Sequence, residues 1–176
     1  MAKAKFVSYK VENEQQLKSH SQYLVDKATL DLGFTTARRD LVIRIGFRKG
    51  ASHVSWNSGS EVSSVALAKW LMGGFRAGGK RRIKARPAFG NYLQYHSEEM
   101  RNICVQAFRR HDSIRNKAYA AGKAIMNDIK HKIYQGSLGL APNMGKYAEK
   151  KYGKGYGDIP LVATKALLND IEVTIE

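Results

Sequence analysis

The sharpest alternation along the chain is LVIRIGF. Leu41, Ile43, Ile45 and Phe47 fall on one face and Val42, Arg44 and Gly46 on the other, which predicts a strand over 41–47. The chain closes on IEVTI, a second strand with Ile171, Val173 and Ile175 on one face. A short strand is predicted from Phe6 to Val11, followed by a polar stretch of helical spacing through Leu17, Leu24 and Leu30 that Gly33 would stop. RKGASHVSWNSGS reads as a loop or loose hairpin over 48–60, because Gly, Ser and Asn crowd it. Ser60 is placed to cap a helix, EVSSVALAKWLM, with Val62, Val65, Ala66, Trp70 and Leu71 at helical spacing and Gly73 and Gly74 at its end.

Pro87 suits the first turn of the longest helical region, since its missing N–H costs nothing there. Leu93, Met100, Ile103, Cys104, Ala107 and Phe108 form one apolar stripe, and Ile114, Ala118, Ala121, Ile125, Ile129 and Ile133 form another. A single helix through both would run about 70 Å, too long for a compact domain, so a turn is expected near 110–112. Asp112 would re-cap the second helix and Gly136 would stop it. Residues 136–158 are rich in Gly, Lys and Tyr and read as a mobile loop, and Pro160 precedes a short helical turn.

These elements give an α+β fold with a small, mostly antiparallel sheet against two longer helices, about 88–110 and 112–135, and long glycine-rich loops. One domain over 1–176 is expected, with 1–33 as an N-terminal extension or arm. The expected core comprises Leu41, Ile43, Ile45, Val65, Trp70, Leu93, Ile103, Phe108, Ile125, Ile129, Ile133, Leu161, Ile171 and Val173.

Charge changes the picture. Thirty Lys and Arg stand against 15 Asp and Glu, for a net charge of +15 and a pI near 10. Such an excess implies an anionic partner, or an assembly that gathers around one. Between residues 34 and 111 the net charge is +11, so the excess is concentrated mid-chain. The loop RAGGKRRIKAR carries Arg76, Lys80, Arg81, Arg82, Lys84 and Arg86 within eleven residues. A second candidate interleaves Lys146, Lys150, Lys151 and Lys154 with Tyr147, Tyr152 and Tyr156, a pattern found in single-strand binders. Either loop suits non-specific contact with phosphates or docking against an acidic protein neighbour.

Other chemistries find little footing. Cys104 is the only cysteine, which excludes an internal disulfide framework and paired zinc thiolates and points to a reducing compartment. It lies on an apolar stripe and reads as a buried small residue rather than a nucleophile. His20, His53, His96, His111 and His131 show no metal-ligand spacing, and adjacent Glu98 and Glu99 diverge on a helix. MGGFRAGGK places its lysine before Arg81 and its glycines after a helix, unlike a phosphate-binding loop. No catalytic, metal or cofactor site is expected. MAKAKFVSYK has no apolar core behind its charge, so no secretory signal is expected, and no run of about 18 apolar residues predicts a membrane span.

Three segments, in order, resemble the tail-completion or head–tail joining proteins of tailed bacteriophages, a group that includes neck proteins and minor tail proteins of the Z type. The first is VIRIGF, followed by a variable loop and the helix VALAKWLMGG. The second is IKARPAFGNYL, similar to the family's Arg-Pro-Phe element, with Ala88 inserted before Phe89. The third runs from AGKAIMNDIKHKIYQG through LAPNMGKYAEKKYG to IPLVATKALLNDIEVTIE, with Lys165 where a glycine usually follows the threonine. The resemblance covers about residues 41–176. It implies a structural virion protein that forms a homo-oligomeric ring, a hexamer, at the head-proximal end of the tail. The ring would contact the head connector or adaptor and the tail terminator or tail tube, with genomic DNA in its lumen. Assembly would take place in the host cytoplasm, away from membranes. The different reading left by the charge alone is a non-specific nucleic-acid-binding protein that uses basic loops 76–86 and 146–156.

Overall fold

The computed structural model describes residues 9–10, 20–25, 29–35, 40–54, 61–77, 81–110, 113–141 and 166–176. The fold is α+β. Its sheet contains β1 (Tyr9–Lys10), β2 (His20–Val25), β3 (Thr29–Thr35), β4 (Asp40–Phe47) and β9 (Ile171–Ile175), in the order β1-β2-β3-β4-β9, with every neighbouring pair antiparallel. Alternation decides which side faces inward. Leu30 and Leu32 of β3 lie opposite Ile45 and Ile43 of β4, and Ile43 and Ile45 lie opposite Ile175 and Val173 of β9. These positions make one continuous apolar face, with Leu30, Leu32, Ile43 and Ile45 wholly buried.

Of the helix expected through Leu17, Leu24 and Leu30, the parts at Leu24 and Leu30 are strands β2 and β3 instead, and Leu17 lies outside the described residues. The sequence Leu30-Asp31-Leu32-Gly33-Phe34 has period two, and pairing against β4 rewards that period; Gly33 lies within a strand opposite Val42 and stops nothing. β2 and β3 therefore belong to the central sheet. Of the strand expected over 6–11, only Tyr9–Lys10 falls in the described residues.

β5 (Ser52–Val54) and β6 (Glu61–Ser63) form a separate ribbon leading into α1 (Ser64–Gly73). The ribbon consumes the residues through Ser63, so Ser63 caps α1 in place of Ser60, its Oγ accepting from the Ala66 N–H at 3.2 Å. Ser64, Ala68 and Met72 define the buried stripe at intervals of four. Trp70 stands two residues from Ala68, about 200° round the helix, and is 47% exposed, which removes it from the expected core. Gly74, at φ 71°, ends the helix in a conformation that favours glycine.

The region expected as one helix over 88–110 is two: α2 (Ala88–Tyr95) and α3 (Ser97–Arg110), with His96 leaving helical geometry between them. Pro87 precedes α2 as its cap residue. α4 (Ile114–Tyr134) begins after Ser113, whose Oγ accepts from the Asn116 N–H; the expected cap, Asp112, lies outside the described residues. At its other end Gly136 takes φ 69° and donates to the Ile133 carbonyl, while Ser137 donates to Lys132. This paired closure fits the glycine stop expected at that position.

α4 lies on the apolar sheet face over β4 and β9, with α3 and α2 beside it. Ile125, Ile129 and Ile133 face the interior, as does Phe108 of α3. Val65, Leu93 and Ile103 are only partly buried, packed at the margin of the core. Leu161 lies outside the described residues. A one-turn helix, α5 (Ala166–Asn169), buries Leu167 and Leu168 and delivers the chain into β9.

Candidate anionic-partner interface and neighbouring polar clusters

The basic segment 76–86, expected as a loop, contains strand on both sides of residues 78–80, which lie outside the described residues. Its backbone forms β7 (Phe75–Ala77) and β8 (Arg81–Ile83), an antiparallel ribbon directly after α1. The register places Arg76 opposite Arg82 and Ala77 opposite Arg81. Lys80 lies outside the described residues, as do Lys146, Lys150, Lys151 and Lys154 with the whole of 142–165. Lys84 is exposed at the base of the ribbon.

Arg86 is set apart from the exposed Lys84. It is buried, its Nε donates to the Ala141 carbonyl at 2.8 Å, and its backbone N–H reaches the Leu71 and Met72 carbonyls at the end of α1. Burial lowers its pKa. Arg86 thus ties α1 to the segment after α4, and this placement does not suit the outward DNA contact expected of it.

Three polar clusters had no signal in the sequence. The first joins residues up to 117 positions apart. Ser64 Oγ donates to Asp170 Oδ2 at 2.6 Å, and His53 Nε2 lies 2.8 Å from the same oxygen and 3.0 Å from Ser64 Oγ. Arg48 approaches Asp170 Oδ1 at 3.5 Å. Serine, histidine and aspartate suggest a hydrolytic triad, but a triad needs the acid and the serine on opposite ring nitrogens of the histidine. Here both face Nε2. With the serine proton given to Asp170, Nε2 is a donor in both contacts and has no lone pair with which to take a proton. The arrangement is a clasp that fastens the start of α1 and β5 to the turn before β9.

The second cluster lies on the polar face of the sheet. Arg44 donates through Nε and a terminal nitrogen to the two oxygens of Asp31, each at 3.0 Å, and also pairs with Glu176. These contacts cross β3, β4 and the chain end, and the hydrogen bond to Asp31 is the main cause raising the Arg44 pKa. The third joins the helices: Tyr92 donates to Asp128 at 2.6 Å, and Glu99 contacts His96 Nδ1 at 2.5 Å and Lys132 Nζ at 3.1 Å. Burial, then Asp128, pushes the Tyr92 phenol far above its ordinary pKa.

Among the described residues, no group of three or more His, Cys, Asp and Glu side chains is placed to hold a metal ion, and no helix is long and apolar enough to cross a membrane. Phe47, at the end of β4, packs against Phe89 of α2 with ring centroids 5.9 Å apart, and its Cα partner in β9 is Ile171. No protein-family model, curated protein or solved structure matches this chain.

Proposed function

We propose that this chain is a non-enzymatic structural protein of a tailed-phage particle, a neck or tail-end subunit whose homo-oligomeric ring, sixfold, completes the tail and meets the head connector. The observation that carries this reading is the position of Phe47. The three segments of the family resemblance are far apart in sequence. Phe47 closes the first, packs against Phe89 of the second, and lies opposite Ile171 of the third. A resemblance spread over unconnected segments gains weight when those segments build one core.

The antiparallel sheet also supports the reading. A small subunit with β9 at one end of its sheet can extend that sheet into a neighbour. Repetition through a closing rotation then gives a ring. The clasp at Asp170 argues against hydrolysis because its histidine faces serine and aspartate through one nitrogen. The neighbours in this account are the head connector or adaptor on one side and the tail terminator or tube on the other.

The test is deletion of the coding sequence followed by electron microscopy of the lysate. Full heads separate from tails are expected, with joined particles restored by expression in trans. Normal joined particles from the deletion would overturn the proposal.

A second reading, non-specific nucleic-acid binding, is favoured by one observation: the Arg76–Arg82 pairing in the β7–β8 ribbon. It predicts that replacing Arg81 and Arg82 with alanine weakens binding to all sequences alike.

A further inference from the structure

One flank of α4, beside its buried stripe, carries a row of cations remote in sequence from either basic loop. Arg115, Tyr119, Lys123 and Lys130 fall within about 80° of arc, counting 100° per residue. Arg115 and Lys123 are exposed, Tyr119 is 46% exposed, and Lys130 is half-buried. The helix rise puts Arg115 and Lys123 about 12 Å apart and Lys130 about 10 Å further on. Asn116 and Asn127 flank the row with neutral, exposed hydrogen-bonding groups.

This row has little compensating charge. Asp128 is the only acid on α4; it points to the other side, where it accepts from Tyr92. Among the described residues, Arg115, Lys123 and Lys130 form no salt bridge with a carboxylate. Burial, and then the neighbouring Lys123 ammonium, lowers the Lys130 pKa; Asp170 opposes this but is already engaged by Ser64 and His53. α3 is mixed by comparison, carrying Glu98 and Glu99 as well as Arg101 and Arg109.

We infer that this α4 face, through Arg115, Lys123 and Lys130, is a contact surface for the phosphate backbone of duplex DNA. Charge complementarity selects a polyanion. The row's straightness and fixed spacing select a stiff one, because a 21-residue helix packed on a sheet cannot follow a coiling strand. Tyr119 points the same way. Lys123 Nζ sits over its ring, 5.6 Å from the centroid, so that face of the ring is covered and does not offer itself as a platform for an unstacked base. The inference is independent of ring formation and of the two basic loops.

The test is fluorescence anisotropy of the full chain with a labelled 20-base-pair duplex between about 50 and 200 mM KCl. Three proteins are compared: wild type; Arg115→Gln/Lys123→Gln/Lys130→Gln; and a charge-matched control, Lys49→Gln/Lys69→Gln/Arg109→Gln, altered at exposed sites outside α4 and outside both basic loops. Circular dichroism confirms that each is folded. The α4 variant is expected to bind at least tenfold more weakly at 100 mM, with a log–log salt slope shallower by about 2–3, and the control is expected to keep most of both. Equal losses in variant and control, an unchanged α4 variant, or a wild type that does not bind the duplex would each overturn the inference. So would tighter binding to a single strand that Tyr119→Ala weakens.

Discussion

Gly122 of α4 and Val173 of β9 meet with no space for a methyl group between them. A Cβ at Gly122 would lie 2.5 Å from Val173 Cγ1 and 2.7 Å from Ile43 Cγ2. This close approach is what lets a long helix lie flat across β4 and β9. Replacing a helical glycine with alanine gains about 1 kcal/mol in propensity. Overpacking a core costs about 1–3 kcal/mol. Both neighbours here are β-branched side chains held by their own strands, so the cost wins. Gly122→Ala is expected to lower stability by up to about 2 kcal/mol in urea denaturation, and Gly122→Val by more.

The clasp around Asp170 predicts a second effect. Asp170→Ala removes the acceptor of the wholly buried Ser64 hydroxyl and the partner of His53. A loss of about 2–3 kcal/mol is expected, the usual scale for orphaning buried polar groups. The companion Ser64→Ala removes donor and demand together and should cost less. Equal losses for the two would contradict this and place the whole Asp170 contribution in its bond to Ser64.

Cys104 offers a chemical probe of packing. Burial pushes its thiol up to about 12. At pH 8 the thiolate fraction is then lower by about three orders of magnitude than for a free thiol near 8.5. Native protein should react with a disulfide reagent far more slowly than protein unfolded in urea, with a single thiol titrated after unfolding. Rapid native reaction would contradict the packing of α3.

Glu99 gives the expected pH response. The hydrogen bond from Lys132, followed by that with His96, holds its carboxyl below the ordinary value. A depressed carboxylate stabilises the fold fully above its unfolded pKa, and the contribution fades as pH falls through the folded value. Stability should therefore drop below about pH 4.5, and Glu99→Gln should make that drop shallower. The effect should be small and should shrink with salt, because the carboxylate is half exposed.

Local pattern carried most of the sheet–helix body. β4 and β9 alternate strictly, and α4 repeats isoleucine at helical spacing, so each element announces its own period. β2 and β3 were hidden because Leu24 and Leu30 happen to fit a helical interval, and only pairing with β4 makes the two-residue period decisive. Trp70 looked like core for a related reason. Helical spacing gave α1 a stripe, but the contact at 64, 68 and 72 selected a different one. The clasp of Ser64, His53 and Asp170 joins segments whose proximity is a property of the fold alone. Charge was legible in amount but not in arrangement. The sequence marks Arg86 as one of six neighbouring cations, and its burial beneath the Ala141 carbonyl appears only in three dimensions.

The proposed place of the chain in a particle is tested most directly by quantitative mass spectrometry of purified, nuclease-treated particles from the source that encodes it, with copy number referred to the portal protein. The account predicts a small fixed number per particle, six or a low multiple of six. Absence from the particles, or a variable trace below one copy, would contradict it.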